Sequence, residues 1–167
     1  YYGGVSGGVT GGLLPAVTLR IQPVDTSGFA IDAWGNRIRY AVSMVTTPAH
    51  PANFTNRTNL QTNGLGVLPN DLVVCSESPA TVAAAACDAN KSVTNTLTVV
   101  AIVFSTGKNG ATGGTGTNEA RNVDGNALFV SRTPDPATAT GGEFDDLLVW
   151  IPVGILYSRL ISAGLLP

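Results

Sequence analysis

The stretch Asp32-Ala33-Trp34-Gly35-Asn36-Arg37-Ile38-Arg39-Tyr40 reads as a turn that launches a strand. Asp32 can accept backbone N–H bonds, and Gly35-Asn36 tolerates positive φ. From Arg37 to Val45 the residues Ile38, Tyr40 and Val42 alternate with Arg37, Arg39 and Ala41, the period of a strand with one apolar face. Trp34 and Tyr40 are expected to be structural, anchoring the sheet by burial, and not to contact a ligand.

Working outward, Thr96 to Phe104 is β-branched and nearly continuous in apolar residues, as in a central strand buried on both faces. It runs into Phe104-Ser105-Thr106-Gly107-Lys108-Asn109-Gly110, a strand end followed by a glycine-rich loop. Further on, Gly141-Gly142-Glu143-Phe144-Asp145-Asp146-Leu147-Leu148-Val149-Trp150 is a short acidic turn feeding an apolar strand from Asp146 to Ile151. Shorter strands are expected at Leu72–Cys75 and Ala127–Ser131, and the start of another at Leu19 and Ile21. Residues 46–70 read as a long Pro/Thr/Asn loop from which Leu65 and Val67 reach the core, and Thr81–Ala86 as a helical turn or a cap on the loop. After Pro152 the period changes: Val153, Leu156, Leu160 and Ile161 recur at helical spacing, and Gly164 is a natural stop. Residues 1–12 are low-complexity and read as a flexible Gly-rich lead-in, and 13–167 as one globular domain. The class implied is α+β: an antiparallel sheet with long loops and a C-terminal helix.

The Asp-x-Trp-Gly-Asn-x-x-x-Tyr turn, the later Ser-x-Gly-x-Asn-Gly loop and the acidic pair before a Trp, in this order, resemble the head domain of type IV pilin-like proteins. The nearest resemblance is to the type II secretion pseudopilins. It covers about residues 13 to 167. The resemblance implies a pilin-like head, self-association into a filament through a long apolar N-terminal helix, and membrane contact only through that helix. No such helix stands in this sequence, so the chain is expected to be a trimmed or processed piece, or the head half of a split subunit. The resemblance also brings in Ca²⁺ as the one candidate cofactor, the alternative being no cofactor at all. Major pseudopilins bind it where a late glycine-rich loop meets an acidic residue near a C-terminal Trp. The matching stretch runs from Gly107 through Asn109, Gly113-Gly114 and Asn118-Glu119 to Asp145-Asp146 and Trp150. The ligands carried over are Asn109, Asn118, Asp145 and Asp146, since calcium takes six to eight oxygens from such groups. Otherwise Asp145 and Asp146 cap the following turn or face water.

Composition fits a subunit that packs against copies of itself, or a neutral exported coat. Hydrophobic residues make up 44% of the 167 and charged residues only 12%, against about 25% in ordinary soluble domains. A net charge of −2 with scattered basic residues excludes a nucleic-acid footprint. Cys75 and Cys87 stand without a histidine or further cysteine pair nearby, so they cannot complete a tetrahedral metal site. A disulfide closing a local loop is the reading adopted, two buried thiols the other. A disulfide places the chain in an oxidising space, periplasm or cell exterior.

No catalytic constellation is present, and the chain is not read as an enzyme. Gly4-Val5-Ser6-Gly7-Gly8 matches a nucleophile-elbow pattern without the strand that must precede it. His50 is the sole histidine and lies between prolines, which leaves no base for a triad. Gly107-Lys108 lacks both the upstream glycine and the following Ser/Thr of a phosphate loop. Sequons at Asn53, Asn56 and Asn90 mark exposed loops. The function expected is structural: a subunit of an extracellular or periplasmic filament, type IV pilus-like or type II secretion pseudopilus. The alternative is a binding module, a minor tip subunit or adhesin that recognises a surface, sugar or secreted protein through the 46–70 and 107–126 loops.

Overall fold

A computed structural model of the chain describes residues 5–6, 9–10, 12–44, 47, 53–81, 85–112 and 116–166. The motif at 4–8 falls largely outside them, and His50 wholly so. In chain order the elements begin with β1 (Val5–Ser6), β2 (Val9–Thr10), α1 (Ala16–Leu19), β3 (Arg39–Val42) and α2 (Arg57–Asn63). They continue with β4 (Val73–Cys75), β5 (Val99–Ser105), α3 (Thr117–Asn122), β6 (Leu128–Val130), β7 (Leu147–Pro152) and α4 (Val153–Ser162). The fold is α+β with a C-terminal helix, as its periodicities imply.

β5 is the centre of an antiparallel three-stranded sheet ordered β3-β5-β7. Register places Ala41 opposite Ile102 and Ile102 opposite Trp150, with Phe104 opposite Leu148. These residues form the inner face. Against it lies a second layer, the parallel pair β4-β6. Val74 and Phe129, partners in that pair, turn toward the sheet and complete a core with Ala41, Leu72, Val99, Ile102 and Phe104. The Phe104 and Phe129 rings meet edge to face at 5.5 Å between centroids, the arrangement their quadrupoles favour. On the far side of β4-β6, Val73, Cys75, Leu128 and Val130 pack with Phe144 in a second cluster. Cys75 is disulfide-bonded to Cys87, which ties the 75–87 loop to that cluster.

Several expectations change. The inward residues of β3 are small: Ala41 is fully buried, followed by Ser43, while Tyr40 and Val42 are only half-buried. Alternation gave the right period but the opposite face, because the bulky Phe104, Ile102 and Trp150 already fill the inner layer. Trp34 is 48% exposed and anchors no sheet by burial. Leu19 ends a short helix instead of opening a strand. Residues 46–70 are not all loop, for α2 forms there with Asn56 as its cap, accepting from the Asn59 N–H at 3.0 Å. Val67 is fully buried, but Leu65 is exposed. α4 is held chiefly by Tyr157, buried, whose hydroxyl donates to the Val67 carbonyl. It stops at Gly164 (φ +67°), where Leu165 N–H reaches back to Leu160 O at 2.9 Å. Among the described residues no helix is long and apolar enough to cross a membrane.

β5 departs from expectation in a different way. Its run predicts burial on both faces, but Ala101 and Val103 on its outer face are only half-buried. Beside them on β7, Leu147, Val149 and Ile151 are 56%, 68% and 37% exposed.

Candidate functional site

Where β5 ends, three segments converge: the glycine loop from Gly107, helix α3, and the turn at 143–146 that leads into β7. Glu119, Asp145 and Asp146 meet there, and one carboxylate oxygen of each lies within 4.8 Å of the others. Glu119 and Asp146 are 2% and 5% exposed, Asp145 less deeply buried.

Glycine permits the approach. Gly107 has φ +60°, and a Cβ there would fall 1.9 Å from Asp145 Oδ1, so any side chain would expel the carboxylate. A Cβ at Gly116, just before α3, would lie 2.2 Å from Glu143 O. Within the cluster the Lys108 N–H donates to Asp145 Oδ2 at 2.9 Å, and the Asp145 N–H donates to Glu119 Oε1 at 2.9 Å. Asn109 Nδ2 donates to both Glu119 oxygens, at 3.1 and 3.0 Å, and to Glu143 Oε2 at 3.4 Å. Asn122 holds the third carboxylate, donating to Asp146 Oδ2 at 2.7 Å. The same Asn122 amide pairs with both polar groups of Val130, accepting its N–H at 2.7 Å and donating to its carbonyl at 3.1 Å. It thus locks the cluster onto β6.

Three acidic groups this close repel one another in a poorly solvated space. Burial pushes the Asp146 carboxyl up to about 7; the Asn122 hydrogen bond opposes the rise, and the charges of Glu119 and Asp145 add to it. Burial also raises Asp145, against the pull of the Lys108 N–H and with the Glu119 charge adding. Among the described residues, Asn109 Oδ1 and Asp145 Oδ1 are buried and find no hydrogen-bond donor. Such acceptors are costly to leave unmatched. The donor set is all oxygen and formally anionic, the chemistry of a hard divalent cation.

Of the four ligands expected from the sequence, the fold brings Asn109, Asp145 and Asp146 together. Asn118 lies elsewhere: its Oδ1 accepts the Ser78 N–H at 2.7 Å. Glu119 stands in the cluster instead, because the helix turns consecutive residues to different sides. Gly113 and Gly114 lie outside the described residues. Asn122 carried no signal in the sequence beyond its position one helical turn after Asn118 and Glu119. Elsewhere, an apolar groove of about 290 Å³ lies between Phe54, Leu60, Leu160 and Leu166.

Comparison with family models, with curated proteins and with solved structures found no match.

Proposed function

We propose that the chain is the head of a filament subunit of the type IV pilus or type II secretion pseudopilus kind, working outside the cytoplasm, and that its role is structural. The observation that carries this reading is the outer face of the β3-β5-β7 sheet. β5 has the composition of a strand covered on both sides, yet only its inner face is fully covered by described residues of the chain. Leu147, Val149 and Ile151 continue the exposed apolar surface along β7. Full burial of each such side chain is worth about 1.5–3 kcal/mol, so a long apolar helix laid along this face would gain several times that. A filament built around a bundle of such helices supplies this cover. The disulfide suits an oxidising compartment, and periplasm or cell exterior belongs to the same proposal.

In this reading Glu119, Asp145 and Asp146, with Asn109, would hold Ca²⁺. The ion supplies charge neutralisation and a clamp between the glycine loop, α3 and the start of β7. The chain's own residues do the positioning: Asn122 fixes Asp146, and the Lys108 N–H fixes Asp145.

The test is recovery of the chain from its native cells after shearing. The wild type is expected in the sedimentable filament fraction. Val149→Lys puts a charge on the apolar face while leaving the fold intact, and it should be lost from that fraction. Recovery of the wild type only as free monomer would remove the filament reading.

A further inference from the structure

The Asp32–Asn36 turn lies some seventy residues before Gly107 in sequence, yet it grips the loop that builds the carboxylate cluster. Asn36 Nδ2 donates to the Gly107 carbonyl at 2.6 Å. That carbonyl belongs to the same peptide group as the Lys108 N–H, which donates to Asp145 Oδ2 at 2.9 Å. One peptide plane is therefore held at both ends, by Asn36 at its oxygen and by Asp145 at its hydrogen. A hydrogen bond accepted at the carbonyl polarises the amide and strengthens what its N–H donates. The residue before this plane is fixed by the same turn: Gly107 N–H donates to Ser105 Oγ at 3.1 Å, and Ser105 Oγ donates to Asp32 Oδ2 at 2.6 Å.

We propose that Asn36 is a positioning residue for the carboxylate cluster, aiming the Gly107–Lys108 peptide at Asp145 and so setting the site's affinity for a divalent cation. The inference rests on the cation reading given above for its effect on affinity, but its geometric part stands apart from any ion. The side chain of Asn36 is not needed to form its own turn. The Asn36 backbone and the Asp32 residue make that turn, with Asp32 N–H donating to Asn36 O at 2.9 Å and Asn36 N–H donating to the Asp32 side-chain Oδ1 at 2.8 Å. Asn36→Ala therefore removes the shorter of the two hydrogen bonds to the Gly107 carbonyl, leaving that from Gly110 N–H at 3.4 Å, and keeps the turn in place. Partners that orient metal ligands from outside typically cost about 10–100-fold in affinity when removed.

The experiment pairs calcium titration calorimetry with amide hydrogen exchange at Lys108, on wild type and Asn36→Ala. Wild type is expected to bind Ca²⁺, and the variant to bind about 10–100-fold more weakly. In chelator, the Lys108 amide should exchange faster in the variant while amides of β5 and β6 keep their protection. If Asn36→Ala proves unstable, Ser105→Ala tests the second hold on Gly107 by the same two measurements. Equal affinity with unchanged Lys108 exchange overturns the proposal. A wild type that takes up no Ca²⁺ removes the cation reading, and Lys108 exchange then still decides whether Asn36 positions the peptide.

Discussion

Along β5, Ile102 and Phe104 are buried, whereas Ala101 and Val103, each one residue from a buried neighbour and also apolar, are only partly buried. The two faces of this sheet differ less in composition than in what covers them. The inner face meets β4-β6, where Val74 and Phe129 interlock with it. The outer face carries Val149 at 68% exposure and Leu147 at 56%. The apolarity of a strand thus says how many faces need cover, not which molecule supplies it. For the outer face, the proposed filament would supply that cover.

Truncation should separate the faces most sharply. Phe104→Ala is expected to cost about 3–5 kcal/mol, because it removes a fully buried ring and its contact with Phe129. Val149→Thr should stay within about 0.5 kcal/mol in the isolated chain. Urea denaturation of both variants checks the contrast. Equal losses at the two positions would mean that the outer face is covered within the chain.

The carboxylate cluster offers a second contrast, between a region stabilised by packing and one short of counter-charge. Calcium at a hundredfold excess over its dissociation constant should stabilise the chain by about 2.7 kcal/mol. Melting curves with Ca²⁺ and with chelator measure this, and Asp145→Ala should remove the difference. Identical curves for the wild type would leave the cluster as an internal hydrogen-bond network.

A further effect follows from protonation. In chelator, Asp146 in the folded chain keeps its proton up to about 7, while the unfolded chain releases it near the ordinary 3.8. Between these values the folded state binds more protons, so stability should fall as pH rises from about 4 to about 7. Asp146→Asn should flatten that slope, and bound Ca²⁺ should suppress it by favouring the ionised form. Melting temperature across this pH range is the measurement.

Much of this architecture was legible in the sequence. The continuous run at 96–104 marked the central strand, Pro152 and Gly164 bracketed the last helix, and two isolated cysteines indicated their bond. Asn109, Asp145 and Asp146 were named only through the resemblance to the pseudopilins, not through any spacing of their own. Other features depend on which side of an element meets its neighbour, and short elements carry too few residues to declare it. Four residues in β3 left the inward face to be settled by the bulk of Phe104 and Trp150. Six residues in α3 put Glu119, not Asn118, into the cluster. The parallel pairing of β4 with β6 joins strands more than fifty residues apart, and nothing local encodes it.

Trp34 marks another small expected effect. The Asp32 turn is held by hydrogen bonds to Trp34 N–H, Asn36 N–H and Ser105 Oγ, not by its half-exposed ring. Trp34→Ala should cost no more than about 1 kcal/mol, well below the 3–5 of a buried aromatic. A denaturation midpoint shifted by the larger amount would show that the ring is packed.

The claim that the outer sheet face is covered in an assembly can be measured directly at Val149. With Cys75 and Cys87 bonded to each other, the thiol introduced by Val149→Cys is the only free one in the chain. In the isolated chain a maleimide should label it rapidly. In intact sheared filaments labelling should be strongly suppressed, and it should return when the filaments are dissociated. Equally rapid labelling in both states would contradict the account.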